Sequence, residues 1–440
     1  MKNIVDKVVE KKFLLPFILI TSLFFLWGIA NDLTNPMVSA FKKVMPELSN
    51  MQAALVQLAF YGGYATMAIP AALFIRKYSY KSGVLLGLSL YAIGALLFIP
   101  AAKFEIFEFF LASLYILTFG LAFLETTSNP YMLSMGSAST ATRRLNLAQT
   151  FNPMGSLMGM LGAQLLVLKT LRSDDFTPEA YSALSVAEQA VIRTNDLEII
   201  STPYVILGII VLCMFVLIAV VKMPKKPVDD EILGVKETIK ILVKDKRYRE
   251  GVVAQAFYVA AQIMCWTFIF QYVDNLNETR PIDAQLTATW YNMAAMVAFL
   301  LGRSFGTYLL KFVRSGRLML MFAMAAIAFT LGAIFIQGVF GLYSLVCVSA
   351  AMSIMFPTIY GIALKDMKVG VRLGSAGLVM AIVGGALMPP IQGAILDLGG
   401  SRLNDITILG VPEINFSFIL PLICFLVVAI YSYRADKVYS

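Results

Sequence analysis

KMPKKPVDDEILGVKETIKILVKDKRYRE, residues 222–250, divides this chain in two. It is the one long stretch dense in charges of both signs, and on either side of it apolar runs recur at about the 20-residue length that lets a helix cross a bilayer. Six runs precede it, at 13–43, 50–75, 82–101, 106–133, 144–169 and 202–222. Six follow, at 250–273, 285–310, 318–337, 341–364, 372–396 and 414–433. A transmembrane barrel would show shorter strands of about 10 residues alternating apolar and polar, and these runs do not alternate. With 59% hydrophobic and 14% charged residues, the 440-residue chain has the composition of a polytopic membrane protein. The expected fold class is all-α: twelve transmembrane helices in two six-helix halves, 1–222 and 250–440, joined by a cytoplasmic linker at 223–249. Within that linker, Val235 to Tyr248 reads as a short amphipathic helix lying on the membrane surface.

Lysine and arginine concentrate in one alternating set of loops and the acids in the other, which places both termini in the cytoplasm by the positive-inside rule. The net charge of +8 is thus a topology signal, and no nucleic-acid partner is implied. Lys2, Lys7, Lys11 and Lys12 precede the first run as in a signal peptide, but a small-residue cleavage site is missing and the run is long, so it is expected to stay as the first helix. Cys213, Cys265, Cys347 and Cys424 fall in four different spans and suggest neither disulfides nor a metal site. The halves are weakly repeated: IRKYSYKSGVLLG (75–87) has its counterpart in LKFVRSGRLMLMF (310–322), both basic inner turns with a glycine. Such repetition suits a transporter with a central cavity between its halves near the midplane. The other long loop, 170–201, is polar, acidic and external, and reads as a solvated connector.

Two carboxylates lie deep in the apolar runs: Asp32, in WGIANDLTNPM, and Glu125, in LAFLETTSNP. An acid at bilayer depth costs several kcal/mol unless it faces a protected, hydrated site, so such residues mark an ion or substrate path. Asn31, Asn35, Asn129, Gln149 and Asn152 cluster near them in sequence, amides that both donate to and accept from hydroxyls. Asp32 and Asn35 share a helix face ahead of Pro36, Glu125 and Asn129 share one ahead of Pro130, and Gln149 and Asn152 share one ahead of Pro153. Three spans of the first half therefore carry a polar pair ending in a proline, which removes a backbone donor. Interhelical hydrogen bonding is the structural alternative for any one amide. In the second half Gln255, Tyr258, Gln262 and Trp266 line one helical face; a phenol or indole offers an apolar wall for a sugar ring and a polar edge for its hydroxyls. Trp27 and Trp290 read as structural. Arg303, the one basic residue deep inside a run, reads as a cytoplasmic-side gate or a charge partner for helix ends. The Gly-rich stretch 374–394 with Pro389 and Pro390 suits close helix packing and a kink.

QLAFYGGY (57–64), LETTSNPY (124–131), RLNLAQTFNPMGS (144–156), AQAFYVAAQIMCW (254–266), GRSFGTYL (302–309), MFPTIYGIALK (355–365) and GSAGLVMAIVGGALMPPIQGAILD (374–397) stand in the order found in one family. Over nearly its whole length the chain resembles the fucose–proton symporter family of the major facilitator superfamily, which also holds glucose and galactose carriers. The resemblance implies that Glu125 is the cavity glutamate of substrate recognition and protonation, that Gln149 and Asn152 contact sugar, and that Tyr258 and Trp266 are cavity aromatics. The chain departs from the family's fucose carriers twice. Their coupling aspartate stands where this chain has Asn35, while the acid here is three residues earlier, at Asp32, about 4.5 Å along the same face. Phe356 stands where they have a tyrosine, which removes one hydroxyl.

The expected function is import of a monosaccharide, L-fucose or a related hexose such as galactose or glucose, with a proton across the bacterial inner membrane by alternating access. Burial in a low-dielectric site brings a carboxyl into the accessible pH range, and with no histidine in the chain proton coupling must run through carboxylates. Sodium-coupled uptake of a hexose or amino sugar is the alternative, followed by an exporter built on the same acids. No cofactor is expected beyond the coupling ion, and the chain is expected to work as a monomer. A membrane-embedded enzyme is not supported, since no nucleophile–base pair or metal-ligand cluster is visible.

Overall fold

The computed structural model describes residues 8–34, 37–45, 48, 50–168, 170–176, 180–181, 183–223, 234–278, 280–367, 369–396 and 406–439. In chain order its helices are Leu14–Thr34 (α1), Met37–Val44 (α2), Asn50–Lys77 (α3), Tyr80–Leu96 (α4), Phe98–Phe104 (α5), Phe107–Leu133 (α6), Ala141–Gln149 (α7), Phe151–Ala163 (α8), Val186–Val220 (α9), Val235–Lys244 (α10), Lys246–Thr267 (α11), Ile269–Asn277 (α12), Ala288–Leu309 (α13), Ser315–Phe335 (α14), Val339–Met352 (α15), Met355–Ala363 (α16), Val371–Met380 (α17), Gly384–Leu396 (α18), Glu413–Ser417 (α19) and Ile419–Lys437 (α20). A hairpin of Thr407–Ile408 with Val411–Pro412 precedes α19.

Ten helical stretches among the described residues are long and apolar enough to cross a membrane. The two remaining expected spans differ for physical reasons. Residues 144–169 are interrupted at Thr150, between α7 and α8, and 285–310 is the single helix α13, made more polar by Asn292 and Arg303. The loop expected at 170–201 is shorter than its composition suggested, because α9 begins at Val186 rather than near 202. A capping box starts it: Ser185 Oγ accepts from the Glu188 N–H, and Glu188 Oε2 accepts from the Ser185 N–H at 2.9 Å. The preceding turn is held to this extension by buried Asp196, which accepts from the Arg172 and Ser173 amides at 2.8 and 3.0 Å. The amphipathic linker helix ends at Lys244 instead of Tyr248, because Asp245 caps a new helix by accepting from the Tyr248 N–H at 3.1 Å.

The helices fold as two compact units. One comprises Ile18–Ser128 and Met154–Lys226; the other comprises Met1–Phe17, Asn129–Pro153 and Pro227–Ser440. Packing therefore groups the end of α6, all of α7 and the start of α8 with the C-terminal helices. In the first unit α4 and α6 touch backbone to backbone, since a Cβ on Gly94 would overlap Leu117 and one on Gly120 would overlap Tyr91. Tyr91 donates to the Leu26 carbonyl at 3.0 Å, and Tyr204 stacks on Phe98 at 4.0 Å while bonding Thr34 at 3.1 Å. Lys81 of the first basic turn holds the C-terminal end of α9, donating to the Ala219 and Val221 carbonyls at 2.8 and 2.9 Å.

In the second unit the matching turn does the same work with a carboxylate: Arg314 and Arg317 pair with buried Asp436 in the last turn of α20, at 3.0 and 3.4 Å. Arg144, fully buried, closes the end of α6 by donating to the carbonyls of Met132 and Leu133 at 2.7 and 2.6 Å, and it also reaches the Val8 carbonyl at 3.0 Å. A guanidinium is well suited to a helix C-terminus, where up to four carbonyls lack partners and the helix dipole is negative.

Candidate functional site

The acids sit in the first unit. Asp32, 8% exposed, lies in the last turn of α1, and Glu125, 5% exposed, lies in α6, which runs through Pro130 without a break. Each lies within electrostatic reach of a phenol of α3, Asp32 of Tyr61 and Glu125 of Tyr64. Tyr64 accepts a hydrogen bond from the Trp27 indole N–H at 2.8 Å, and Trp27 stacks on Phe24 at 5.5 Å. Trp27, which the sequence left as structural, is therefore tied to the Glu125 neighbourhood. Thr127 and Ser128, two and three residues along α6 from Glu125, are buried with hydroxyl oxygens that have no hydrogen-bond partner among the described residues. Asn31 is half-buried, and its Oδ1 likewise has no partner there. Asn35 and Pro36 lie outside the described residues.

Asn129, Gln149, Asn152, Gln255 and Gln262 sit with Arg303 in the second unit. Gln149 Nε2 donates to Asn129 Oδ1 at 2.8 Å, so these two expected contacts, 20 residues apart, form one polar pair. Both are buried, whereas Asn152, in the first turn of α8, is half-buried. Arg303 is 3% exposed on α13 and donates through Nη1 to the Gln149 carbonyl at 2.9 Å and through Nε to the Ser353 carbonyl at 2.7 Å. Those two acceptors have a common origin. Each would take its helical hydrogen bond from the residue four further on, and those residues are Pro153 and Pro357, which have no N–H. Both prolines occupy the third position of a helix, α8 and α16, that follows a one- or two-residue break. Arg303 thus satisfies two carbonyls that proline leaves unpaired, and each sits at the end of the preceding helix, where a cation is favoured.

The Arg303 guanidinium also covers the Phe299 ring at 4.5 Å, and Phe299 meets Trp266 edge to face at 5.2 Å. Trp266, half-buried, donates from its indole to Ser349 Oγ at 3.2 Å, and its carbonyl accepts from Asn292 Nδ2 at 2.9 Å. Tyr258, fully buried, stands beside the Arg303 guanidinium and meets half-buried Phe356 at 6.2 Å; Phe356 in turn stacks on Tyr360 at 6.4 Å. Gln255 shares that face of α11 one turn earlier and is fully buried, with neither amide atom partnered among the described residues. Gln262 is half-buried on the same helix. A second contact joins α7 to α16: Asn146 Nδ2 donates to Thr358 Oγ1 at 3.2 Å, and Gly361 faces Thr142 so closely that a Cβ there would meet Oγ1 at 2.7 Å.

The structure thus adds Trp27, Tyr61, Tyr64, Asn146, Asn292, Ser349 and Ser353 to the residues expected from sequence. For Tyr61 and Tyr64 a signal was present in the motif QLAFYGGY. For the Arg303 acceptors it lay in the spacing of Gln149 to Pro153 and Ser353 to Pro357.

The major facilitator superfamily pattern matches residues 13–389. The chain is 55% identical over 436 residues to the L-fucose-proton symporter of Haemophilus influenzae, covering 98% of this chain and 99% of that one. It is 29% identical to the glucose/galactose transporter of Brucella abortus, over 95% of this chain and 93% of that protein. The crystal structure of the Escherichia coli fucose:proton symporter superposes with a TM-score of 0.84 at 32% identity, covering 97% of this chain and all of that one. With its ten apolar helical stretches among the described residues, the pair α7 and α8, and polar α13, the chain has the twelve-helix fold of these proteins and belongs to the fucose–proton symporter family of the major facilitator superfamily.

Proposed function

We propose that this chain imports L-fucose together with a proton across the bacterial inner membrane, both termini facing the cytoplasm, by an alternating-access cycle. The observation that carries this reading is the burial of Asp32 and Glu125 at bilayer depth beside the Tyr61 and Tyr64 phenols, in a chain without histidine. In this reading the two acids take up and release the proton, and neutralising them lowers the cost of enclosing them away from water. The sugar is held by Glu125, Asn31, Asn35 and Asn152, by the Asn129–Gln149 pair, and by Gln255, Tyr258, Gln262, Trp266 and Phe356. Sugar and proton favour the closed state only together, and that is what couples their movement. The halves 1–222 and 250–440, with the linker 223–249, are the repeating units of this cycle, and a single copy of the chain carries it out. The chain is a transporter rather than an enzyme, as its relatives are.

Proton rather than sodium coupling is supported by the H. influenzae relative, named an L-fucose-proton symporter, at 55% identity. A hexose is the second reading, favoured by Phe356 in place of the tyrosine of fucose carriers and by the glucose/galactose relative. Labelled L-fucose, galactose, glucose and N-acetylglucosamine uptake into proteoliposomes under an imposed pH or sodium gradient tests both. Uptake of L-fucose driven by the pH gradient supports the proposal, whereas uptake that follows sodium, or that prefers a hexose, overturns the corresponding part.

A further inference from the structure

The helix α10 stands immediately before a membrane-crossing helix. Asp245 alone separates it from α11, whose span runs Lys246–Asn277, so the C-terminal end of α10 lies at the mouth of that span. Its rotation is set by two buried residues one turn apart, Thr238 and Leu242. Both face the start of α17: a Cβ on Gly370 would come within 2.7 Å of Thr238 Cγ2, and one on Gly374 within 3.4 Å of Leu242 Cδ2. With that face docked, the remaining faces of α10 are fixed in direction.

Beside the docked face, Val235, Ile239 and Val243 recur every four residues as one apolar stripe, 39%, 45% and 56% exposed. Next to it Lys236, Lys240 and Lys244 recur at the same interval, all exposed. The one acid of the helix, Glu237, is turned to the helix start, where its Oε2 accepts from the Gly234 N–H at 3.3 Å. In water this arrangement would leave three β-branched side chains exposed for no gain. In the headgroup layer the apolar stripe enters the acyl boundary, while the lysine stems lie along it and carry their ammonium groups to the phosphates.

We infer that α10 is a binding surface for anionic phospholipid headgroups of the inner leaflet. The occupant follows from charge: three ammonium groups in a row, with the single acid directed elsewhere, complement a negatively charged interface, and each lysine near such a surface strengthens attachment several-fold. Because α10 packs on α11 and α17, lipid seated there steadies the inner ends of two helices, one of which carries Gln255, Tyr258 and Trp266. This inference does not depend on which sugar or ion is carried.

The test uses the full chain with Ile239→Trp, reconstituted in phosphatidylcholine bilayers containing either brominated phosphatidylglycerol or brominated phosphatidylcholine at equal mole fraction, with the emission of the parent subtracted. Quenching several-fold stronger with the brominated phosphatidylglycerol is expected. That preference should fall in Lys240→Gln and vanish in Lys236→Gln/Lys240→Gln/Lys244→Gln, and it should also vanish at about 1 M salt, where the screening length is about 3 Å. Soluble glycerophosphate at matched ionic strength should leave it unchanged. Equal quenching by the two lipids would show a helix that meets the bilayer without reading charge. No quenching above the parent would place this face in water or against a protein, and displacement by glycerophosphate would mean a free-phosphate site. Each of these three results overturns the inference. Should the triple variant fail to fold, the single variant and the salt series decide the matter.

Discussion

The two compact units arrange their candidate site residues in opposite chemical styles. In the first, carboxylates lie within electrostatic reach of phenols, Asp32 of Tyr61 and Glu125 of Tyr64, and the Trp27 indole donates to Tyr64. In the second, amides and aromatic rings gather around a guanidinium that is itself held by two backbone carbonyls and a phenyl ring. A carboxyl can change its charge over the physiological range and a guanidinium cannot, so the first arrangement suits a group that titrates and the second suits a fixed frame. Sequence repetition between the halves does not extend to this chemistry. Both halves place a proline four residues beyond a helix-ending carbonyl, at Pro153 and Pro357, but a single arginine serves both carbonyls.

The largest effect that could break this contrast is expected at Glu125. Glu125→Gln should abolish uptake against a concentration gradient, bringing the accumulation ratio to about 1, while exchange of labelled for unlabelled sugar persists. Uptake by the parent should rise as the outside becomes more acid, and in Glu125→Gln it should not respond. Concentrative uptake by this variant and by Asp32→Asn would remove the distinction between a titrating unit and a framing one.

Arg303→Ala comes next. It leaves two buried carbonyls without donors, at about 1–3 kcal/mol each, so thermal unfolding in detergent should show a loss of about 2–6 kcal/mol. A double variant with Pro153→Ala supplies the missing N–H to the Gln149 carbonyl and should recover up to half of that loss. If the proline change brings no recovery, the account of Arg303 as the partner of proline-orphaned carbonyls is wrong.

A smaller change is expected at Gln149→Ala, which removes one neutral hydrogen bond to Asn129 and one proposed sugar contact. Each is worth about 0.5–1.5 kcal/mol, so KM should rise about 2- to 13-fold per bond with little change in the pH dependence. A change in pH dependence instead would place Gln149 with the titrating groups. Trp27→Phe should have the smallest effect. It keeps the ring and loses the indole donor to Tyr64, about 1 kcal/mol, and the readout is a shift in the uptake–pH profile at unchanged KM. A change in KM alone would sharpen the comparison differently, by giving the first unit a share in holding sugar.

The membrane class, the apolar runs and the two buried acids were legible from sequence because each rests on a local property: run length, hydropathy, and the presence of a charge where charge is costly. Boundaries were less legible where a cap overrode composition. The Ser185–Glu188 capping box starts α9 inside what reads as a polar loop, and Asp245 ends α10 by starting α11. The site was half legible. Gln149 and Asn129 are both visible as candidate amides, yet their separation of 20 residues conceals that they bond to each other. Trp27 reads as structural in the sequence because its polar companion, Tyr64, lies 37 residues away.

By itself, then, the sequence determined a helical membrane transporter with acids at bilayer depth and the motifs of a sugar–proton symporter family, since hydrophobic run length and motif order are carried by neighbouring residues. Tertiary structure alone decided the neighbours: which phenol lies within electrostatic reach of each acid, that Asn129–Pro153 packs with the C-terminal helices, and that Arg303 completes hydrogen bonds denied by two prolines 204 residues apart in the chain. A buried polar group must find a partner wherever the fold supplies one, and the identity of that partner is fixed by packing rather than by distance along the sequence.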